Sequence, residues 1–429
     1  MKKQLFVVIL ACAVSFLALG CDKEKEVQKV VVDPGVFVDQ PSTEPVVSEA
    51  PVASEEPGPS AEPSETIAPT DPVGTSEEPS GESEQKDPED VTMIPEGKKR
   101  EPVEVKGIYV TGNKAGTNGF YDLVTLVDET ELNAMVIDIK NEDGYVTYAM
   151  DSPMVNEMSS QKRLIGDLPG VLNTCKEHDI YTIARIVTFC DNHAAETHPE
   201  WAVLNKDGSV YHDNRKLAWL NPYKKDCWEY ISEIACQAAQ AGFDEIQFDY
   251  IRLNTDKKMK DLDYGPDAAD VTSQEIITEF VSYIMEELEP YGVYVAADVY
   301  GTIIGSEVDR KNVGQNYVDM CSKLDYICPM IYPSHYAGGN FGIEIPDTDP
   351  YKCIKGAMDL STKETSVLEG THCAVARPWL QAFTATWVKG HIDYGIEEVK
   401  LQIQAVHDAG YNEYLLWNSG NVYEKGVFE

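Results

Sequence analysis

A short stretch near the middle of the chain joins a predicted strand to an acidic side chain. Gly242 to Arg252 reads GFDEIQFDYIR, in which apolar and polar residues alternate, so one strand face ends in Asp249. A strand between two helical patterns is normally buried on both faces, and an unpaired buried carboxylate costs several kcal/mol. Asp249 is therefore interpreted as a catalytic carboxylate, and a structural ion pair with Arg252 remains the alternative.

The elements that position this stretch are alternating strands and helices. Helical periodicity is clearest in residues 224–241 and 273–288, and no glycine-rich nucleotide motif follows the first strand. Eight strands that alternate with helices predict a (β/α)8 TIM barrel, an α/β fold, over residues 105–429. The predicted strands are residues 105–110, 134–139, 181–189, 243–251, 293–299, 326–331, 373–380 and 414–417.

In such a barrel the active site lies at the C-terminal ends of the strands. Period-two alternation predicts polar or aromatic side chains that point inward at these ends, and their coincidence favours one site over separate structural roles. Asp249 and Asp298, on strands four and five, are the predicted catalytic residues. The predicted substrate-binding residues are Asp138, Lys140, Arg185, Gln247, Arg252, Tyr300, Tyr332, Arg377, Trp379, Gln381, Trp417 and Asn418.

Carboxylates surrounded by aromatic side chains suit the cleavage of a glycosidic bond. One carboxyl group protonates the leaving oxygen, while another attacks the anomeric carbon or activates water. We expect Asp298 to keep its proton near neutral pH while Asp249 stays charged. A separation near 5.5 Å would fit a retaining reaction, which we favour, and one of about 6.5 to 9.5 Å an inverting one.

Other chemistries have weaker support in the sequence. The cysteines lack the spacing of a zinc site, and a Ser-His-Asp pattern is not apparent, so we expect no metal and no cofactor. Asp256, Asp261, Asp263 and Asp267 fit a solvated acidic loop better than a calcium loop. Residues 105–429 carry a net charge of about −25, which argues against nucleic acid as a partner. A polysaccharide or oligosaccharide remains possible, and we expect a monomer.

The first part of the chain predicts export. An apolar run from Leu5 to Leu19 follows two lysines and is too short to span a bilayer, so residues 1–20 are predicted to be a signal peptide. Residues 17–21, LALGC, resemble a bacterial lipobox. That resemblance implies a lipidated Cys21 and an extracytoplasmic lipoprotein anchored in the cell membrane; cleavage without lipidation is the alternative.

Residues 21–104 have the composition of a linker. They contain 13 of the 24 prolines and a single aromatic residue, Phe37, together with a large acidic excess. Such a segment cannot form a hydrophobic core. We therefore predict a disordered acidic linker between Cys21 and the barrel.

Several separated segments resemble a predicted family of bacterial glycosyl hydrolase barrels: VKGIYVT (105–111), DEIQFDYIR (244–252), PMIYPSHY (329–336) and ARPWLQ (376–381). HPEWAV (198–203) and DGSVY (207–211) are similar to related glycosidase-like barrels. The resemblance spans nearly all of residues 105–429. It implies a glycoside hydrolase that cleaves O-glycosyl bonds, without indicating the sugar.

The carboxylates differ from two better-known arrangements. A chitinase-type strand four would have acidic residues where Gln247 and Ile251 stand, and a second group of barrels has a nucleophile on strand seven, where this chain has no carboxylate. By analogy with amylase-like barrels, Asp249 corresponds to the nucleophile and Asp298 to the acid/base, although that group has Glu at the second position. Asp138 is the reserve candidate.

These patterns predict a glycoside hydrolase that acts on an extracytoplasmic or cell-envelope polysaccharide. A noncatalytic carbohydrate-binding barrel is the main alternative, and an envelope scaffold that binds a protein partner is the second.

Overall fold

The computed structural model describes residues 99–429. Eight parallel strands form a barrel that closes because the first strand pairs with both the second and the eighth. The (β/α)8 fold predicted from the sequence is thus confirmed. The strands are β1 (Lys106–Val110), β2 (Ala134–Lys140), β3 (Tyr181–Val187), β4 (Glu245–Asp249), β5 (Tyr294–Tyr300), β6 (Tyr326–Ile331), β7 (Trp379–Gln381) and β8 (Tyr414–Trp417).

Helices cover the outside of the barrel and begin and end at residues that favour these positions. Thr272 and Glu275 form a capping box at the start of the fourth helix, and Gly242, with φ at 105°, ends the third. The main helices are α1 (Gly119–Asp128), α2 (Leu168–Glu177), α3 (Lys225–Ala241), α4 (Ser273–Leu288), α5 (Glu307–Val313), α6 (Tyr317–Cys321), α7 (Pro350–Thr365) and α8 (Ile396–Asp408).

Shorter elements decorate the connections between strands. After β2 the chain forms strand Val146–Tyr148, antiparallel to β2, and strand Gln161–Ile165, parallel to Val146–Tyr148. Strand Leu204–Asn205 pairs with Leu262–Asp263, and Val375–Ala376 pairs with β6 ahead of β7. Short helices are Gly112–Ala115, Pro153–Met158 and Asn192–Thr197, with 3-10 turns at Met259–Asp261, Pro266–Ala269, Glu289–Tyr291, Gly301–Ile303, Pro333–His335, Asn340–Gly342, Pro346–Thr348, Ser366–Leu368 and Lys425–Phe428.

The hydrophobic core has two parts that the barrel wall separates. The larger part lies between strands and helices, and the smaller fills the barrel interior with residues such as Val136, Ile183 and Leu415. Strand residues alternate between the two parts, so alternate positions point into the barrel. This alternation brings the polar strand ends together at one face.

The chain enters the barrel at the opposite, N-terminal face. Arg100 forms an ion pair with Asp244, which precedes β4, and Lys99 with Asp325, which precedes β6. The Tyr294 hydroxyl at the start of β5 donates a hydrogen bond of 2.5 Å to the Arg100 carbonyl. Residues 99 and 100 therefore lie across the floor of the barrel.

Three predictions lie outside the described residues: the signal peptide over residues 1–20, the lipidated Cys21 and all but the end of the linker over residues 21–104. Between residues 99 and 429, none of the helices is both long and apolar enough to cross a membrane. The same residues contain no group of three or more His, Cys, Asp or Glu side chains arranged to hold a metal ion.

Candidate functional site

A cleft opens at the C-terminal face of the barrel, and we call it the rim cleft. With the open solvent at its mouth included, it occupies about 580 Å³. Its walls combine carboxylates, arginines and aromatic rings. The lining residues are Arg185, Asp249, Tyr250, Arg252, Asp298, Tyr300, Met330, Tyr332, His335, Trp379, Phe383 and Trp417.

Asp249, the last residue of β4, is held at both carboxylate oxygens. Arg185 donates to Oδ2 from Nη2 at 2.5 Å and from Nε at 3.1 Å, while the Tyr250 backbone N–H donates to Oδ1 at 2.6 Å. Nη1 of the same arginine donates to Asp138 Oδ1 at 2.5 Å. One buried guanidinium therefore links two carboxylates through charge-assisted hydrogen bonds.

The backbone is strained immediately after this carboxylate. Tyr250 has a φ of 50°, in the left-handed region that bulky residues rarely adopt. Its ring lies 4.8 Å from the Arg252 guanidinium, and its hydroxyl accepts a hydrogen bond of 3.1 Å from Arg215, which Asp213 holds in turn. Such strain persists only where surrounding contacts fix the residue, as they do beside Asp249.

Asp298, on β5, has a drier environment. Two N–H groups donate to its Oδ1, one from Trp379 Nε1 at 2.6 Å and one from Gln247 Nε2. Burial raises the pKa of Asp298 well above its ordinary value, and the nearby Asp249 charge raises it further. Because both donors occupy Oδ1, a proton on this carboxyl group belongs on Oδ2.

The strand register brings the two aspartates side by side. In the β4–β5 pairing Phe248 lies opposite Ala297, so Asp249 and Asp298 follow as the next positions on adjacent strands. Both side chains line the rim cleft rather than opposite sides of the barrel wall. Adjacent strands are about 4.8 Å apart, a spacing compatible with carboxyl groups that flank one bond.

Aromatic rings form one wall beside Arg185. Tyr109 and Trp417 are stacked, with ring centroids 4.0 Å apart and planes at 21°, and the guanidinium lies 5.5 Å and 5.3 Å from these two rings. The Tyr109 hydroxyl donates to Asp138. Trp417 also meets Trp379 edge to face at 5.5 Å. The wall therefore fixes the arginine that holds Asp249.

A second arginine lies in an aromatic cage on the other side of the cleft. The Arg252 guanidinium is 4.9 Å from the Trp219 ring and 4.6 Å from the Tyr300 ring, in addition to its contact with Tyr250. These cation–π contacts orient a side chain that is only 2% exposed. Arg252, Tyr300 and Tyr332 thus line the rim cleft, where the sequence analysis had placed them.

Lys140 is not in the rim cleft. A bulge in β2 shifts the register between Asp138, which faces Arg185, and Lys140, which faces Ile186 on the outer side of β3. Lys140 is fully buried there, 2.8 Å from Asp191 and bonded to the Val187 carbonyl at 2.7 Å. The bulge turns this side chain out of the barrel, so it has a structural role instead of the predicted contact with substrate.

Arg377 points inward but lies at the wrong end of the barrel. It forms ion pairs of 2.8 Å with Glu245 and Glu413, which begin β4 and precede β8, and its guanidinium is 3.9 Å from the Tyr326 ring. The predicted seventh strand was continuous, whereas Arg377 precedes β7. It is fully buried near the floor, away from the rim cleft.

Gln381 and Asn418 brace a loop rather than line the cleft. Gln381 donates to Asp347 Oδ1 and to the Phe383 carbonyl, both at 3.1 Å, and Asn418 donates to the Ala382 carbonyl at 2.6 Å. Gln247 is likewise buried behind the cleft, where it contacts Asp298. These three residues position other groups, because each donates its amide N–H to a neighbouring residue.

Sequence reasoning missed several residues near the cleft. Phe383 and His335 line it, and Tyr109 supports it, but each lies on a loop or at a strand position where an aromatic side chain is common in a core. Glu142 is partly buried beyond β2, and desolvation raises its pKa while Arg185 opposes that shift. Its segment NEDG is typical of a solvated loop and carries no signal for burial.

Similarity to known proteins agrees with the fold. The PgaB (BpsB) glycoside hydrolase domain from Bordetella bronchiseptica superimposes with a TM-score of 0.55 at 15% identity, covering 74% of this chain and 94% of that one. A hypothetical protein from Ruminiclostridium thermocellum is 40% identical over 45% of this chain and 97% of its own, with a TM-score of 0.42. A comparison with curated proteins gives no match.

The family comparison covers nearly the whole barrel. Residues 107–423 match the model of a family described as "Putative glycosyl hydrolase domain". This span includes every residue that lines the rim cleft and all eight barrel strands except Lys106. With a closed parallel barrel and a carboxylate cleft at the face where such barrels have their sites, the chain belongs to this glycosyl hydrolase family.

Proposed function

We propose that the barrel hydrolyses a glycosidic bond of an extracytoplasmic or cell-envelope polysaccharide, with Asp249 as nucleophile and Asp298 as general acid/base. The observation that carries the proposal is the contrast between these two carboxylates in one cleft. Arg185 contacts Asp249 as a counter-charge, whereas Asp298 is buried and bonded at one oxygen only by N–H donors. Such a difference between two neighbouring carboxyl groups is typical of acid/base catalysis.

In the first step Asp298 Oδ2–H protonates the leaving glycosidic oxygen. As the bond from this oxygen to the anomeric carbon breaks, an Asp249 oxygen bonds to that carbon and forms a glycosyl-enzyme ester. The N–H donors at Asp298 Oδ1 leave Oδ2 as the oxygen that carries the proton.

In the second step Asp298, now ionised, accepts a proton from water. The water oxygen bonds to the anomeric carbon as the ester bond breaks, so Asp249 becomes a carboxylate again and Asp298 recovers its proton. Adjacent strands supply the two groups, and a carboxyl separation of about 5.5 Å would fit this retaining sequence. Arg185 stabilises the returning Asp249 charge through the contacts already described.

The cleft also has surfaces that suit a sugar. Trp379, Trp417 and Tyr332 line the same cleft as the two carboxylates, and aromatic rings pack against the apolar faces of pyranoses. We infer an extracytoplasmic polymer because the sequence predicts a signal peptide and a lipidated Cys21. The polymer and the compartment are therefore part of the proposal.

The decisive experiment incubates the full-length protein with a panel of cell-wall and exopolysaccharide polymers and analyses released sugars by mass spectrometry. We expect one polymer to yield oligosaccharides or monosaccharides. Asp249→Asn and Asp298→Asn should each reduce the release at least 100-fold, because each removes one partner of the acid–nucleophile pair. Asp122→Asn, an exposed aspartate on α1, is the matched control and should retain wild-type release.

Two results would contradict the proposal. Wild-type levels of release from the Asp249→Asn protein would remove this carboxylate from the mechanism. Polymer binding that survives Asp249→Asn, combined with no release by the wild type from any polymer, would identify a carbohydrate-binding barrel without hydrolytic activity.

A further inference from the structure

We propose that Trp387, beside the rim cleft, forms a second sugar-binding position that receives an uncharged pyranose unit. The neighbouring unit of the same chain would occupy the cleft. This inference rests on the proposed function, since it assigns the substrate to chains of two or more sugar units.

Trp387 belongs to a continuous series of aromatic contacts that leads out of the cleft. Tyr332 and Phe383 both line the cleft and meet edge to face at 5.8 Å. Phe383 in turn stacks with Trp387, at 6.0 Å between centroids and 22° between planes. His335, also in the cleft wall, meets the Trp387 ring edge to face at 6.3 Å. The exposed ring is thus an extension of the cleft wall.

The loop that carries Trp387 is fastened at both ends. Gln381 holds its start through the Phe383 carbonyl, as described above, and the Tyr394 hydroxyl donates to the Asp347 carbonyl at 3.0 Å at its end. The Tyr394 backbone N–H also donates to Thr384 Oγ1 at 3.0 Å, which closes the loop on itself. A loop fixed in this way loses little conformational entropy when a ligand binds to it.

Trp387 leaves part of its ring in water. It is 38% exposed, and that part is accessible to a ligand at the edge of the cleft. The partners in its ring contacts are Phe383 and His335, and a ring face of this kind suits the apolar C–H face of a sugar. A neutral pyranose presents such a C–H face, so we assign it to this position.

The test measures binding separately from hydrolysis. The full-length protein carries Asp249→Asn so that bound polymer is not cleaved. It is run in native gels that contain hydroxyethyl cellulose, glycol chitin, laminarin or arabinogalactan. We expect retardation by at least one polymer. Adding Trp387→Ala should weaken the apparent affinity about 3- to 10-fold, the effect expected for one aromatic stacking contact, and Trp387→Phe should restore most of it.

Tyr121→Ala is the matched control, because Tyr121 is an aromatic residue on α1 that is 58% exposed, and it should leave retardation unchanged. Equal retardation of the Trp387→Ala and parent proteins, or no retardation by any of the four polymers, would overturn the inference.

Hydrolysis of the retarding polymer by the chain with Asp249 intact separates the two proposals. If Trp387→Ala changes neither the rate nor the KM of cleavage, the second sugar-binding position is contradicted and the hydrolase proposal stands. If the polymer binds in a Trp387-dependent way but is not cleaved, the hydrolase proposal is contradicted and the sugar-binding position stands.

Discussion

Asp249 and Asp298 end neighbouring strands and differ in what surrounds them. The first has an arginine and a backbone N–H, whereas the second has two side-chain N–H donors and almost no solvent. A carboxyl group in the second environment is more stable with its proton. The residue type alone would not distinguish the two, because both are aspartates at inward strand positions.

The raised pKa of Asp298 has a consequence for stability. Between the pKa in the unfolded chain and the higher pKa in the folded protein, the native state binds more protons, so stability falls as pH rises. Asp298→Asn mimics the protonated acid, so this variant does not lose the stability that the wild type loses as pH rises. We expect a higher melting temperature than wild type at pH 8 and no gain near pH 3, measured by circular dichroism. An equal difference at both pH values would contradict the assignment of a proton to Asp298.

If Asp298 donates the proton in catalysis, activity should also fall on the alkaline side of the pH profile. The donor loses its proton as pH rises through the same folded-state pKa. Trp379→Phe removes one N–H donor that stabilises the ionised form, so the alkaline limb should move to higher pH. If the alkaline limb of the Trp379→Phe profile stays at the wild-type pH, a group other than Asp298 determines its position.

Cys373 should be the reactive thiol of the barrel. It is exposed, and a hydrogen bond from Cys321 lowers its pKa to about 6, so it is mostly thiolate at neutral pH. We expect iodoacetamide at pH 7 to alkylate Cys373 before the other cysteines of residues 99–429, as peptide mapping would show. Cys321→Ala should move the reaction to higher pH; the same pH dependence in both proteins would rule out the hydrogen bond as its cause.

At the scale of elements, the sequence predicted the strands and their inward-facing positions. It predicted less well where each side chain lies along the barrel axis. Apolar runs and period-two alternation are local properties, so they predicted eight strands and brought Asp249, Asp298 and Arg185 to one face. The bulge that turns Lys140 outward and the break that leaves Arg377 near the floor depend on pairing with neighbouring strands. A single sequence carries no local signal for either.

Arg377 forms ion pairs at the floor of the barrel with Glu245 of β4 and with Glu413, the residue before β8. Replacement by methionine leaves the carboxylates of Glu245 and Glu413 buried without their partner, so we expect a loss of about 3 to 5 kcal/mol in the free energy of unfolding, measured with urea. Lys355→Met, which breaks the exposed pair with Asp359 on α7, is the control and should cost about 0.5 kcal/mol or less. A similar cost for both would contradict a structural role for Arg377.

At the scale of the whole molecule, the predicted tether precedes the barrel in the sequence. Among residues 99–429, the rim cleft is lined by side chains from Arg185 onward. We expect Cys21→Ser to move the protein from the membrane fraction to the soluble fraction while its melting temperature stays the same, as fractionation and calorimetry would show. Continued membrane attachment of this variant would contradict lipidation at Cys21.

The ion pairs of Lys99 and Arg100 also determine at which face of the barrel the preceding chain joins it. They fix the incoming chain beneath the floor, so the full depth of the barrel separates the point of attachment from the mouth of the cleft. The predicted linker therefore joins the barrel at the face opposite to the mouth of the cleft. A polymer that enters the rim cleft and the linker to the predicted anchor would then approach the barrel from opposite faces.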